Sequence, residues 1–469
     1  MSTKAKQNFT EGGLFFKILL FSLPIMATNL LQMLYNSADN IVVGQFSGDP
    51  EALAAIGCTG ALVNIILNAL IGTSSGAGVV CAQFLGAGRR DGVSRTTHTA
   101  MTVSVIGGIL FMLVGLLVHR PILSLIVNEK SILDKAALYV FIICFGIPAQ
   151  AVMNFGVAIL RSIGNSRTPF IILISSGLLN VILNLVFVIF CNMSIAGVAL
   201  ATIAAHYASA TAVVIILLRA KGEAHHLEFK KLGIDIGIFK RMLFIGIPAA
   251  LQSSAYSISN IFIVAGINTF DRPYISANTI AGNLDNMLYV CMVTFTQSAM
   301  TAAGQNYGAG KADRVKKTLL YTLAQSIAVG IVVSTTVFLL KEPIIKLYVE
   351  ASDPLFDEVV AATVRWVSFF IFPYIICGVF EVLAGFLRGI GNSTPPMLIV
   401  LFCCCLTRII WVSAIFPNLP HEIESLIWCY PISWTLSVIV ALFVLIRSLK
   451  RLRKTLGGTD TKNASESAV

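Results

Sequence analysis

Long apolar stretches fill this chain, and short polar segments interrupt them at near-regular intervals. Roughly 20 apolar residues are enough to cross a bilayer as a helix. Twelve such stretches occur, at about 14–43, 52–81, 97–118, 136–160, 168–191, 195–218, 241–266, 277–302, 318–340, 362–387, 395–416 and 425–446. Six precede a polar segment at 219–240 and six follow it. The predicted fold is all-α and integral to the membrane.

The polar words that break the pattern repeat. QFLGAGRRD (Gln83–Asp91) returns as QNYGAGKAD (Gln305–Asp313), and LRSIGNSRTP around Arg161 returns as LRGIGNSTPP around Arg388. Pro24 and Pro121 are matched by Pro248 and Pro343. A chain that repeats over half its length is built from two copies of one unit. An even number of spans per copy means that both enter the membrane from the same side. The repeats are therefore parallel, related by an axis along the membrane normal. Glycine in the GAG and GN words permits a sharp turn where a span ends, and the adjoining Arg and Lys anchor that end at the inner headgroups. A phosphate-cradling loop is excluded, since Lys311 is followed by Ala312 rather than Ser or Thr. The segments opened by Pro121 and Pro343 are expected to form short amphipathic helices on the outer face.

Composition supports the membrane reading. Hydrophobic residues make up 56% of the chain and charged residues 12%, where a soluble domain carries about twice that charged share. Mean hydropathy is +0.84. The net charge of +10 is a topology signal. With the N-terminus inside, most of the 33 Lys and Arg fall in inner segments, which places both termini in the cytoplasm. These charges are spread over many short loops, so a nucleic-acid partner is not expected. The polar start and the long first apolar stretch argue against a cleaved signal. The ten cysteines sit in or beside apolar segments without C-x-x-C spacing and read as reduced small hydrophobes. There is no H-E-x-x-H, no G-x-S-x-G at a strand end and no paired metal ligands, so neither enzymatic activity nor a cofactor is expected. The domain reading is a first lobe at 1–218, a cytoplasmic linker at 219–240, a second lobe at 241–454 and a disordered tail at 455–469.

Three acidic residues remain inside spans: Asp39, Asp285 and Glu381. A carboxylate there costs a few kcal/mol and usually faces a protein cavity. Asp39 shares a helical stripe with Asn29, Gln32 and Asn36. Such a stripe faces either a hydrogen-bonded seam or a water-filled cavity. The matched helix keeps the stripe as Gln252, Ser253, Tyr256 and Asn260, but Ile263 stands where Asp39 would be. The first copy would then hold a coupling ion and the second would contribute more to substrate. Oxygen ligands are at hand, with Asn180 and Asn184 one turn apart in span five and Thr202 in span six. They suit a hard cation, and a proton on a buried aspartate serves as well. His206, one turn from Thr202, reads as a packing histidine or a proton relay. Asp285 and Glu381 either pair with Arg365 or Arg408 or face the substrate.

On its two six-span halves, the QFLGAG and QNYGAG pair, the LRSIGNSRTP and LRGIGNSTPP pair, and an aspartate following the proline of span one, the chain resembles the multidrug and toxic compound extrusion (MATE) family of secondary transporters. The resemblance covers nearly the whole chain. It implies a V-shaped two-lobe transporter that exports cationic, often aromatic compounds in exchange for Na+ or H+, acting as a monomer in a bacterial inner membrane. It implies Asp39 as the principal cation ligand, with Asn180 and Thr202 as supporting oxygens. Family members often carry an aspartate where Asn184 stands, and some carry a glutamate where Tyr256 stands. Gln32, Asn36, Tyr256, Asn260, Asp285 and Glu381 are the candidate cleft residues. A flippase or an exporter of a lipid-linked or other metabolite is the alternative within the wider superfamily.

Overall fold

In hydrocarbon every backbone N–H and C=O must find a partner within its own segment, so apolar runs of this length fold as helices. The computed structural model describes residues 7–46, 49, 51–125, 127–349 and 354–466, with only the backbone described for helical residues 36, 38, 40, 41, 45, 61 and 453–466. Among the described residues there is no strand. In chain order the helices are α1 (Leu14–Phe46), α2 (Ala52–Gly86), α3 (Arg90–Ser124), α4 (Lys130–Cys144), α5 (Ile147–Ser162), α6 (Arg167–Leu185), α7 (Ser194–Arg219), α8 (Ile236–Ile267), α9 (Arg272–Gly308), α10 (Ala312–Lys346), α11 (Phe356–Phe370), α12 (Tyr374–Gly389), α13 (Thr394–Ile399), α14 (Thr407–Ile410), α15 (Ile423–Ile427) and α16 (Cys429–Glu466). Wider π-helical turns extend α6 at Val186–Phe190 and flank α14 at Val400–Leu406 and Trp411–Ile415.

Nine of the described runs are long and apolar enough to cross a bilayer singly. Two more spans are bent pairs, α4–α5 at 49° and α11–α12 at 48°. The sequence explains both bends. Pro148 opens α5 and Pro373 precedes α12, and each removes a backbone donor where the two halves meet. Helix α9 is 37 residues long but is not among these spans, since it carries Asn278, Asn283, Asp285 and Asn286. Two expectations need correction. The segments at Pro121 and Pro343 are not separate surface helices, since α3 and α10 run through them to Ser124 and Lys346. A proline in a last turn forfeits only one intrahelical bond, which an apolar run readily offsets. The tail is not coil throughout, because α16 continues to Glu466; extending a nucleated helix costs little per residue.

The chain divides into two compact units, one made of Met1–Asn8 with Leu23–Ala250 and the other of Phe9–Ser22 with Leu251–Val469. This division departs from the lobes read from the sequence. The first turns of α1 belong to the second unit, and the first turns of α8 belong to the first. Each helix changes unit beside its matched proline, Pro24 in α1 and Pro248 in α8.

Repeated words build the anchors for these exchanged ends. Gln83 Oε1 accepts a hydrogen bond from Arg241 Nη2 at 2.9 Å, which ties down the start of α8. Its counterpart Gln305 Oε1 accepts from the Phe9 backbone N–H at 3.1 Å, which ties down the approach to α1. Arg314 then donates to the carbonyls of Phe9, Glu11 and Gly12 at 2.8–3.2 Å. The linker is held by α3. The Glu228 N–H donates to His98 Nε2 at 3.0 Å, and Asp235 pairs with Arg95 at 3.0 Å. The Ile238 backbone N–H, and then Arg95, hold the Asp235 carboxyl below the usual range.

The GAG and GN words are helix C-caps. Gly88 and Gly310 have φ of +68° and +71°, and Gly164 and Gly391 have +80° and +87°. After α2 the Arg89 N–H reaches Phe84 O and Gly88 N–H reaches Leu85 O, both at 3.0 Å. After α9 the Lys311 N–H reaches Asn306 O at 3.0 Å and Gly310 N–H reaches Tyr307 O at 3.1 Å. This double bond pattern requires a left-handed residue, which glycine adopts freely. Gly88→Ala or Gly310→Ala is expected to lower stability by about 1 kcal/mol. Gly107→Ala, in open space on α3, is expected to be neutral or stabilising. Thermal unfolding of the three purified variants checks this; equal shifts in all three would contradict the capping role.

Candidate functional site

Helices α1, α6 and α7 carry the polar centre of the first unit. Gly177 lets the Tyr35 ring of α1 lie directly on α6, where a Cβ would come within 2.0 Å of Tyr35 Cε2. One turn further along α1 stands Asp39. Asn184 Nδ2 donates to Asp39 Oδ1 at 2.5 Å and to Asn180 Oδ1 at 3.4 Å. Asn180 Nδ2 donates to Thr202 Oγ1 at 3.4 Å, and Thr202 Oγ1 donates to Val198 O at 2.9 Å. The four side chains singled out in the sequence thus form one hydrogen-bonded string.

Two features mark the chemistry of this string. Asn184 is 1% exposed, yet its Oδ1 has no hydrogen-bond partner. An unsatisfied buried acceptor costs about 1–3 kcal/mol. Asp39 is half-buried, and among the described residues no Lys, Arg or His pairs with it within 4.0 Å. A carboxylate, an orphan amide oxygen, a second amide oxygen and a hydroxyl make an all-oxygen donor set suited to a hard cation. The π-helical turn begins two residues after Asn184, a distortion frequent at functional positions.

Of the other expected residues, Gln32 is exposed on α1, and the side chain of Asn36 lies outside the described residues. His206 is half-buried on α7, and no hydrogen bond joins it to the Asp39 string.

The second unit repeats the helix arrangement with different chemistry. Helix α8, the run 394–418 and α16 converge on Arg408, which is 2% exposed. Arg408 Nη1 donates to Asn260 Oδ1 at 3.2 Å and Ser259 Oγ at 3.4 Å, and Nε donates to Ser433 Oγ at 3.2 Å. Its guanidinium lies 4.6 Å from the Tyr430 ring centre and 5.9 Å from that of Trp434. Nearby, Asp285 is hydrogen-bonded to Tyr374. The Tyr256 hydroxyl donates to Glu381 Oε1 at 3.4 Å, and Arg388 Nη2 donates to Gln252 Oε1 at 2.7 Å.

Of the two readings of Asp285 and Glu381, the ion pairs with Arg365 or Arg408 do not form among the described residues. Arg365 is half-exposed and turns outward to Glu422 at 3.5 Å and to Glu424. Arg408 is met by neutral oxygens and aromatic faces instead. From the sequence Arg408 reads only as a possible salt-bridge partner. The signal for a larger role is a lone guanidinium in an otherwise apolar run, LFCCCLTRIIWV.

With this geometry in place, the likenesses to known proteins carry weight. The MatE family model matches residues 24–186 and again 248–412. A probable multidrug resistance protein NorM from Thermotoga maritima is 25% identical over 82% of this chain and 82% of its own length. A protein named FAD transporter from Shewanella oneidensis is 23% identical over 94% of this chain and 96% of its own. The crystal structure of a MATE protein in complex with MaL6 superposes with a TM-score of 0.90 at 18% identity, over 97% of this chain and all of that one, a likeness of fold alone.

Proposed function

Because the chain belongs to the MatE family and is a multi-pass membrane transporter, we propose that it is a secondary antiporter that exports organic cations and aromatic compounds in exchange for Na+ or H+. The observation that carries this reading is the Asp39–Asn184–Asn180–Thr202 string with its unpartnered Asn184 oxygen. A coupling ion drives transport only if it binds two conformations with different affinity. Ion binding at Asp39 changes the charge of that carboxylate site by one unit, and inverting a two-state population from 1:99 to 99:1 requires roughly 5.5 kcal/mol of difference in affinity between the two conformations.

The same string serves either ion. Sodium takes the carboxylate with the amide and hydroxyl oxygens, whereas a proton takes Asp39 alone. Nucleotide hydrolysis has no part in the cycle, and the protein acts as a monomer in the cytoplasmic membrane with both termini inside. Reconstituted vesicles given a fluorescent organic cation in the outer solution test the proposal. A proton gradient and a sodium gradient, imposed separately, are expected to drive uptake against concentration in one case and not in the other. Equal, gradient-independent leakage in both would remove the antiport reading. A metabolite cargo is the second reading, favoured by the relative named FAD transporter; competition of cation uptake by excess flavin dinucleotide separates the two.

A further inference from the structure

The linker between α7 and α8 carries large apolar side chains in the open. Phe229, Leu232, Ile234 and Ile236 are all exposed, Phe229 by 64% and Ile236 by 65%. The other side of the same segment is fixed. Leu227 and Ile238 are buried, and the Leu227 N–H donates to Leu217 O of α7 at 3.1 Å. The Asp235 N–H donates to Thr99 Oγ1 of α3 at 3.1 Å, beside the contacts of Glu228 with His98 and of Asp235 with Arg95. The linker is thus a strap, tied along its inner side and apolar along its outer side.

Helix α8 shows what that outer side meets. Ile236, Phe244 and Ile247 are exposed, and their spacings of eight and three put them on one stripe of the helix. The stripe runs down a helix long and apolar enough to cross a bilayer, where exposed apolar side chains meet acyl chains. The strap ends on this lipid-facing stripe and prolongs it over the membrane face at which α7 ends and α8 begins. A soluble partner would have to displace lipid to reach Ile236, which favours the bilayer itself as the occupant. The charges agree. Lys230 and Lys240 are exposed, and neither pairs with a carboxylate within 4.0 Å among the described residues. Lys240 stands on the same stripe, one turn into α8. Lys231, by contrast, is engaged by Glu228 at 2.7 Å.

We propose that the strap, residues 227–240, is a docking surface for anionic lipid of the adjoining leaflet. Phe229, Leu232, Ile234 and Ile236 enter the boundary between headgroups and acyl chains, and Lys230 and Lys240 meet lipid phosphates. Apolar side chains interleaved with lysine suit that boundary, where apolar bodies are buried and ammonium groups stay wet. The one carboxylate in the apolar part of the strap, Asp235, is drawn away to Arg95 of α3 and so does not oppose the lipid charge. Because α3 already orders the strap, docking forfeits little conformational freedom. Leaflet charge thereby steadies the start of α8, which Arg241 ties to Gln83.

Hydrogen exchange of the full-length protein in nanodiscs tests this, read on peptides covering residues 229–237. Discs of phosphatidylcholine are compared with discs that also contain phosphatidylglycerol. Exchange in wild type is expected to be about tenfold slower with the anionic lipid, the scale of one to two lysines at a charged surface. Lys230→Gln combined with Lys240→Gln is expected to abolish that difference, and both side chains are exposed, so the fold is not at risk. Ile234→Ser is expected to speed exchange severalfold in both discs. Equal exchange of the wild-type strap in the two lipids overturns the proposal. So does a lipid difference that survives in the double lysine variant, or an unchanged rate in Ile234→Ser. Slowing by inorganic phosphate alone, in discs of phosphatidylcholine, identifies a phosphate site instead and overturns it too. No transport is measured, so the outcome stands apart from the antiport reading.

Discussion

Asp39→Asn is expected to reduce ion-driven export to background while leaving membrane insertion and monodispersity unchanged. The replacement keeps the size of the side chain and still offers an oxygen to Asn184 Nδ2. It removes the only acid that the Asp39–Asn184–Asn180–Thr202 string contains. Without a group that gains and loses charge, the two conformations no longer respond differently to the ion. Facilitated, gradient-independent exchange of the organic cation can survive, because that step needs no ion. Vesicle uptake under an imposed gradient is the measurement. Concentrative uptake at the wild-type rate by a correctly inserted Asp39→Asn protein would falsify the assignment of Asp39 as the coupling group.

Asn184→Asp is expected to act in the opposite sense, by raising sodium affinity about tenfold or more. In the present chain Asn184 donates its amide to Asp39, and its own oxygen lacks a partner. An aspartate there cannot donate unless protonated. Two carboxylates at this separation cannot both stay ionised without a shared proton or a cation between them. Sodium then relieves a repulsion that the natural pair does not have, on top of Asn180 and Thr202 as oxygen ligands. A sodium titration of thermal stability in detergent reads the change as a shift of the midpoint to lower concentration. An unchanged midpoint in the folded variant would rule out this string as the sodium ligand set.

The all-helical membrane fold, the repeat, the caps at Gly88, Gly164, Gly310 and Gly391 and the Asp39 string are all legible in the amino-acid sequence. They follow from local pattern: apolar length, glycine beside a basic residue, and polar residues spaced three or four apart. Features that depend on tertiary packing are not legible there. The bends at Pro148 and Pro373 can be placed only by knowing that a span continues across them, whereas Pro121 and Pro343 look similar in sequence and leave their helices unbroken. The Arg408 cluster draws on residues from α8 and α16 that lie about 150 and 25 positions away, and no periodicity links them. The ion pairs that were one of the two readings of Asp285 and Glu381 are absent among the described residues, since charge alone does not say which way a long side chain turns.

The exchange of helix ends has a consequence for the integrity of the chain. Phe9–Ser22 is built into the unit that otherwise begins at Leu251, and the start of α8 is built into the unit that otherwise ends with the linker. A cut between Lys221 and Gly222 therefore does not release two finished halves. Each fragment carries away an apolar stub whose bed stays with its sister, Phe9 leaving the Gln305 side chain and Arg241 leaving Gln83. Produced alone, either piece is expected to aggregate. Produced together, the two have a reciprocal reason to find each other, in the manner of a swapped dimer held in one molecule.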